Sequence, residues 1–378
     1  MDSLKLLSEY SKFLEDKKSE GKKIMAILAH DNIPEELLDA AGFIPLRMIF
    51  AGNDELMNSC HDYLPPSTCS FAQSCLGLFS LKPMAFRFLD SVNYFLLSNH
   101  CVTDICVSEL ISNNFKIPRL DFYVSYTRNE NSFKYYKLEI DNLKKKIEII
   151  TKNRISDEKI RESIIKYNNF KRILSIVANL DIIGSKKLEI FQKAILFGPD
   201  IQPEIEKIIE ANKGQEFLKD NNYKNLILTG CSIFIGDYLV NLIEENGGNV
   251  VLFDSWIGYN YYSQILEYEE LKSTRNPINI FKKRFKNNKY GDHSVPKFLE
   301  KKIKFLEKYV NHFNEEKNKK LAIINHVIKF CDHFSLFQTH FKSKLQEKGI
   351  NVLNLERDYS RSNKGQLSTR IGAFMEML

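Results

Sequence analysis

Three cysteines stand at similar places in the sequence, where a predicted strand end meets a loop. They are Cys69 in LPPSTCSFAQS, Cys101 in SNHCVTD and Cys331 in IKFCDH. In open α/β sheets, ligands gather beyond the carboxyl ends of the strands, so thiols that are distant in sequence can meet there. Such thiolates could bind a metal or a metal cluster. For one cysteine taken alone, a small buried hydrophobic residue is the commoner role.

Zinc is the rival metal, since Cys69 could pair with Cys75, and Cys101 with Cys106. The gap between Cys69 and Cys75 exceeds the two to four residues usual in structural zinc sites, and the gap between Cys101 and Cys106 is at the upper limit of that range, so an iron–sulfur cluster is favoured. Three histidines could supplement such pairs: His61, His100 and His333. A nucleophilic pair of Cys60 with its neighbour His61 ranks lower, because adjacent residues rarely face one another and no third group orients them.

The run TGCSIFIG, residues 229–236, has a predicted strand before it and a predicted helix after it. Its backbone amides could receive an anion at the helix N-terminus. The glycines do not fit the dinucleotide-binding pattern G-x-G-x-x-G, and no P-loop lysine follows them. A tight strand-to-helix turn explains the run equally well.

Composition places the chain among ordinary globular proteins. It has 378 residues, of which 43% are hydrophobic and 27% charged, enough for about two domains. Seven cysteines, an odd count, with no secretory signal argue for free thiols or metal ligands in a cytoplasmic protein rather than a disulfide framework. The net charge of +6 is spread among glutamates, which predicts solvated helix faces and no nucleic-acid partner. Apolar runs are too short to span a membrane.

The elements that would position the cysteines follow an α/β pattern. A first βαβ unit comprises a strand at Ile24–Ala29, a helix opened by Pro34, and a strand at Ile44–Phe50. Glu35 and Glu36 lie in the first turn of that helix, where carboxylates favour the helix dipole. Further strands are predicted at Val92–Leu97 and Arg119–Val124.

The rest of the chain first turns helical and then repeats the α/β pattern. Helices are predicted from Glu130 to Leu218. Strands then follow at Asn225–Thr229, Asn249–Asp254, Leu321–Phe330 and Ile350–Leu355, with a closing helix at Leu367–Leu378. The basic, Asn-rich stretch Lys272–Val295 is expected to be an irregular surface excursion. The predicted architecture is two doubly wound parallel-sheet lobes of Rossmann or flavodoxin type, residues 1–129 and 221–378, joined by a helical connecting region, residues 130–220.

Several motifs, in order along nearly the whole chain, resemble one family. They are IPEELLDAAGFIP (33–45), the segments around Cys69, Cys101 and Cys331, LERDY (355–359), GQLSTR (365–370) and the ending FMEML (374–378). Together they resemble the smaller subunits of the 2-hydroxyacyl-CoA dehydratase and benzoyl-CoA reductase family.

The resemblance implies a [4Fe-4S] cluster bound by Cys69, Cys101 and Cys331, with an exchangeable position on the fourth iron and sensitivity to oxygen. It implies a partner subunit of the same family, or a second copy of the chain, and an ATP-dependent iron–sulfur activator. The implied substrate is an acyl-CoA. An injected electron converts an (R)-2-hydroxyacyl-CoA into a ketyl radical, which loses water and returns the electron, leaving an enoyl-CoA.

Two alternatives within the resemblance stay open. The turn at Cys231 and the run QLSTR are similar to double-cubane cluster proteins, which are ATP-dependent reductases. Those relatives have cysteines where this chain has His30 and Pro83, which favours a single cubane here. The other alternative is a non-catalytic subunit whose cluster relays electrons or stabilises the fold.

Four further residues are candidates for supporting roles. His30 ends the first predicted strand and could move a proton at the cluster, although a histidine satisfied by the backbone is equally consistent. Asp332 and Cys231 are candidates for supporting the cluster ligands from beside them. Arg370 could pair with a CoA phosphate, and a structural pairing with Glu356 is preferred.

Overall fold

In the computed structural model, the described residues are 3–28, 32–99, 101–125, 127–220, 222–288 and 297–378, the side chains of 219 and 220 excepted. His30 and His100 lie outside these ranges. The first lobe holds a parallel sheet of four strands in the order β2-β1-β3-β4. The strands are β1 (Lys23–Ile27), β2 (Phe43–Arg47), β3 (Val92–Ser98) and β4 (Arg119–Phe122). The predicted first βαβ unit is confirmed, because β1 and β2 pair in parallel.

Helices surround this first sheet because each crossover between parallel strands has to return along a face of the sheet. They are α1 (Ser3–Ser19), α2 (Glu35–Ala40), α3 (Asp54–Asn58), α4 (Ser70–Leu81) and α5 (Val102–Phe115), with a 3-10 segment at Met84–Ser91.

The predicted helical region is confirmed along the chain between the two sheets. Asn129 and Ser156 cap its two longest helices through side-chain oxygens that accept from Ser132 N and Lys159 N. The helices are α6 (Glu130–Thr151), α7 (Asp157–Ala178), α8 (Gly184–Phe197), α9 (Gln202–Asn212) and α10 (Phe217–Asp220), with a 3-10 turn at Gly198–Ile201.

The second lobe repeats the strand order of the first, as β6-β5-β7-β8, and all its pairings are parallel. Its strands are β5 (Lys224–Gly230), β6 (Gly248–Asp254), β7 (Leu321–Ile328) and β8 (Val352–Arg357). Each sheet therefore has a topological switch point, between β1 and β3 in the first and between β5 and β7 in the second. Ligands in doubly wound folds bind at such points, beyond the carboxyl ends of the strands.

Two of the helices that follow β5, at residues 268–273 and 278–287, contribute buried side chains to the core that lies against the first sheet. The predicted closing helix is confirmed as the last of the helices that follow β5. They are α11 (Leu239–Glu245), α12 (Tyr268–Ser273), α13 (Ile278–Asn287), α14 (Phe298–Lys317), α15 (Asp332–Ser335), α16 (Gln338–Gln346) and α17 (Lys364–Glu376), with single turns of π-helix at Trp256–Asn260 and 3-10 helix at Arg361–Asn363. No helix in the described ranges combines the length and apolarity needed to cross a bilayer.

The prediction that Lys272–Val295 forms an irregular surface excursion is wrong for residues 278–287, which form α13. Ile278, Phe281 and Phe285 recur at helical spacing, and their buried side chains pack in the core beside α6. Phe285 stacks on Tyr136 with ring centroids 4.1 Å apart. The lysines between these apolar residues mask the pattern in the sequence, although they lie on the outer face of an amphipathic helix.

The two lobes are joined by backbone hydrogen bonds and by a shared core. Ala51 N–H donates to the carbonyl of Ile235 at 2.9 Å, and Ile235 N–H donates to the carbonyl of Ile49, also at 2.9 Å. The rings of Phe71 and Phe234 stack across the same junction with centroids 4.4 Å apart. These contacts hold the start of α4 against the turn that follows β5.

Candidate functional site

A cavity of about 780 Å³ is lined by both lobes and contains four cysteines, Cys69, Cys101, Cys231 and Cys331. Cys101, Cys231 and Cys331 come after β3, β5 and β7. The prediction that Cys69 also stands at a strand end is wrong, because Cys69 lies between α3 and α4 and directly precedes α4. The three cysteines expected to converge do line one cavity, and Cys231 joins them. We call this the cysteine cavity.

Helix N-termini point at the cysteines of this cavity. Cys69, Cys101 and Cys331 are the N-cap residues of α4, α5 and α15. The backbone N–H groups of residues 71 and 72 act to lower the pKa of Cys69, and those of residues 103 and 104 act to lower the pKa of Cys101, although burial outweighs them. Free N–H groups and the helix dipole favour negative charge at a helix start, so these places suit thiolates.

The thiols also contact one another. Cys331 makes side-chain hydrogen bonds with Cys231 and Cys69. The contact with Cys231 and burial raise the pKa of Cys331 well above its ordinary value, although the contact with Cys69 acts in the opposite direction. For Cys69, the hydrogen bond with Cys331 is the largest cause of the raised pKa. Burial raises the pKa of Cys101 to about 12, and the charge of Asp104 contributes. In the metal-free protein these residues are therefore neutral thiols, and a bound metal would have to displace their protons.

Asp104 is a site residue that sequence reasoning missed. It lines the cysteine cavity from the first turn of α5, is 5% exposed, and burial raises its pKa to about 7. An aspartate in a first helical turn is so common for its favourable interaction with the dipole that its position gives no signal of a buried site.

Five Phe and Trp rings line the cavity as well, with Lys302 among them. The Lys302 ammonium pairs with Asp254 at 2.7 Å, and Asp254 also accepts from the Thr229 hydroxyl at 2.6 Å. Both charges are therefore satisfied inside the protein. The aromatic lining residues are Phe71, Phe234, Trp256, Phe298 and Phe334.

The residues around the cysteines fit a group that takes thiolates and hydrogen bonds. The Tyr359 hydroxyl and His326 Nε2, which belong to residues outside the lining of the cavity, are buried and have no hydrogen-bond partner among the described residues. Burial, together with the charge of Asp237, raises the pKa of Tyr359 well above its ordinary value. Within the described ranges, no three His, Cys, Asp or Glu side chains are placed to hold one metal ion. A cubane distributes its protein ligands over several irons, so it does not require that geometry.

The other residues with predicted roles lie elsewhere. Asp332 is exposed and is not among the residues that line the cysteine cavity. His30 is outside the described residues. The expected pairing of Arg370 with Glu356 is wrong: Arg370 donates to the carbonyl of Asn354 at 2.7 Å, and Glu356 accepts from Gln338 at 3.1 Å.

The cysteines outside the family motifs divide by burial. Cys75 is fully buried within α4, and Cys106 is exposed on α5. Cys60 is buried and donates its thiol to the carbonyl of Met57 at 2.9 Å. That contact is typical of a structural cysteine, whose weak S–H donor finds a backbone acceptor.

A second cavity of about 450 Å³ lies beside the first, and Trp256 and Asn260 line both. Buried charges surround it. Arg47 pairs with Glu35 at 2.5 Å, Arg284 pairs with Glu36, and the Lys171 ammonium lies 3.9 Å from Glu36. We call these five residues the charge cluster.

The charge cluster corrects the expectation that Glu35 and Glu36 only favour the helix dipole. Both lie in the first turn of α2, but they are 4% and 1% exposed and hold three buried cations. Burial by itself would raise the pKa of Glu36, but the charges of Arg284 and Lys171 outweigh it and lower the pKa. Arg284 belongs to α13, so its partnership with Glu36 was hidden by the wrong prediction for that segment.

Comparison with known proteins found a family model and two curated relatives that match nearly the whole chain. The family model for the D-component of 2-hydroxyglutaryl-CoA dehydratase matches residues 32–378. The chain is 22% identical to a putative dehydratase subunit, YjiM, of Escherichia coli (strain K12), over 92% of this chain and 89% of that one. It is 21% identical to the lactoyl-CoA dehydratase subunit beta of Anaerotignum propionicum, over 97% of this chain and 95% of that one.

Proposed function

The chain belongs to the 2-hydroxyglutaryl-CoA dehydratase D-component family, and from that premise we propose that it is the iron–sulfur subunit of an (R)-2-hydroxyacyl-CoA dehydratase. The observation that supports the proposal most is the convergence of Cys69, Cys101 and Cys331 on one cavity. A relative named as a lactoyl-CoA dehydratase subunit supports a 2-hydroxyacyl-CoA as the substrate of the whole enzyme.

In this proposal the residues of the cysteine cavity have distinct tasks. Cys69, Cys101 and Cys331 hold a [4Fe-4S] cluster, and the N–H groups at the starts of α4 and α5 stabilise their thiolates. The aromatic wall, including Phe71 and Phe234, keeps water away. When bound, the cluster supplies one-electron chemistry, in which a 2-hydroxyacyl thioester reduced to a ketyl radical expels its hydroxyl, loses a β-proton and returns the electron.

The proposal includes two protein partners. One is a second subunit of the same family, or a second copy of this chain, which completes the enzyme. The other is an ATP-dependent iron–sulfur activator that supplies the electron. The family description names a component of a larger enzyme, and both curated relatives are named as subunits, which supports a chain that works in a complex.

Iron and sulfide analysis of anaerobically purified protein tests the proposal. One cubane predicts about four irons and four labile sulfides per chain. Serine at Cys69, Cys101 or Cys331 should remove most of both. Serine at Cys60 or Cys106 is the matched control and should leave both unchanged, because neither thiol lines the cysteine cavity. Stoichiometric zinc without sulfide would refute the proposal.

An ATP-dependent reductase is the second candidate, favoured by the place of Cys231 in the cavity beside the three expected ligands. A dehydratase recycles its electron, so a short pulse of ATP and activator should support many turnovers. A reductase consumes reductant with every product molecule. A fixed ratio of ATP hydrolysed to product formed, or about eight irons per chain, would favour the reductase.

A further inference from the structure

Cys231 occupies the switch point of the second sheet together with Cys331. It follows β5 directly, and Cys331 follows the neighbouring strand β7. The carboxyl ends of these two strands lie side by side, at the place where doubly wound folds bind ligands. Cys231 is thus as well placed as Cys331 to reach a group in the cysteine cavity.

The backbone holds Cys231 in that place. Cys231 N–H donates to the carbonyl of His326 on β7 at 2.8 Å. Gly230 before it has φ of +98°, and a Cβ at Gly230 would lie 2.2 Å from the same carbonyl oxygen. Only glycine permits this approach of the two strand ends, so the position of the Cys231 thiol is set by the sheet.

The contacts of the Cys231 sulfur are those of an acceptor. Its Sγ accepts the backbone N–H of Ile328 at 3.3 Å, and it makes a side-chain hydrogen bond with Cys331. Cys331 contacts Cys231 and Cys69 directly, whereas Cys101 affects Cys331 only through its charge. Two ligands expected from the family motifs therefore form one contact chain with Cys231.

Comparison with Cys60 distinguishes this arrangement from that of an ordinary buried cysteine. Cys60 donates its S–H to a carbonyl and lines no described part of the cysteine cavity. Cys231 accepts an N–H and faces the cavity. The Cys231 sulfur is therefore placed as an acceptor at the cavity wall, as a ligand of a group bound there would be.

We propose that Cys231 is a fourth protein ligand of the cluster, beside Cys69, Cys101 and Cys331. The inference rests on the proposed function, because it requires a cubane at this site. Ligation forms one Fe–S bond and releases the thiol proton to solvent. With four thiolates each iron has a protein ligand, so no iron of this cluster keeps an open position for the acyl-CoA.

Ferricyanide oxidation of the anaerobic protein tests the proposal, because a cubane with only three protein ligands readily loses its fourth iron and becomes a [3Fe-4S] cluster. The wild-type protein should keep about four irons and show no [3Fe-4S] signal in electron paramagnetic resonance. Cys231→Ala should fall to about three irons and gain that signal. Cys60→Ala should behave like the wild type.

Two results would overturn the proposal: loss of one iron by the wild-type protein, or four oxidation-resistant irons in Cys231→Ala. If the alanine variant assembles no cluster, Cys231→Ser decides. Four oxidation-resistant irons in that variant, with a cluster spectrum identical to that of the wild type, would also overturn the proposal. Failure of the proposed function gives a different result, since the wild-type protein would then contain neither iron nor sulfide before oxidation.

Discussion

The cysteine cavity and the charge cluster are neighbours that satisfy their polar groups in opposite ways. In the charge cluster, Glu35 and Glu36 lie against Arg47, Arg284 and Lys171, so each carboxylate has a cation. In the cysteine cavity the thiols contact mainly backbone N–H groups and one another. Both regions gather residues that are distant in sequence. Convergence alone therefore does not identify a ligand site. The hydrogen-bond and ion-pair partners of each polar side chain distinguish a ligand site from a structural cluster.

The difference predicts that the charge cluster serves stability and the cysteine cavity serves ligand binding. A buried ion pair leaves an uncompensated charge when one partner is removed, whereas a thiol that binds a ligand contributes little to the fold without it. Three measurements test this division.

The largest effect is expected for Glu36→Ala. The change leaves Arg284 and Lys171 buried without their carboxylate, and should lower the free energy of unfolding by about 3–5 kcal/mol in urea denaturation. Glu130→Ala, which breaks the exposed pair with Lys286, is the matched control and should lower the stability far less than Glu36→Ala, because solvent screens an exposed pair. Equal losses in the free energy of unfolding in the two variants would contradict a special contribution of the charge cluster to stability.

A smaller, pH-dependent effect is expected for Lys171→Met. Burial, with help from Arg284, lowers the pKa of Lys171 to about 8, whereas in the unfolded chain it is about 10.4. Between these values the unfolded chain binds more protons, so the stability of the wild-type protein should rise with pH from about 8 to 10.

Below pH 8 both states are protonated and the cost of burying the ammonium is fully present. Between pH 8 and 10, the free energy of unfolding of the wild-type protein should therefore rise by roughly 2 kcal/mol relative to that of Lys171→Met, as measured by urea denaturation at each pH. The comparison cancels the similar contribution of Lys187, whose pKa burial also lowers to about 8. A constant difference between the two proteins across this range would contradict the prediction.

The smallest effect on stability is expected for Cys69→Ser in iron-free protein. Its thiol contacts Cys331 and two backbone N–H groups, and a hydroxyl can accept the same N–H groups. In thermal denaturation, the free energy of unfolding of the iron-free variant should stay within about 1 kcal/mol of the wild-type value, although the variant should bind almost no iron. A cost as large as that of Glu36→Ala would assign Cys69 a structural role instead.

Local patterns in the sequence were sufficient for most of the architecture. Alternating apolar runs, Pro34 and Gly42 predicted the first βαβ unit, and the structure confirms it. The places of Cys101 and Cys331 after strands also follow from local signals. By contrast, α13 was missed because its lysines dominate the composition, while its apolar residues meet α6, more than 130 residues away in sequence.

The sequence by itself determined which residue types stand at the ends of the strands, and hence that thiols were available for a ligand. Only the tertiary structure decided which strand ends meet. Cys231 lies beside Cys331 because β5 and β7 are adjacent in the sheet, and Glu36 meets Arg284 because α13 packs beside α6 and α2. Hydrophobic periodicity reports the face that one element buries, whereas strand order and lobe docking depend on contacts between elements far apart in the chain.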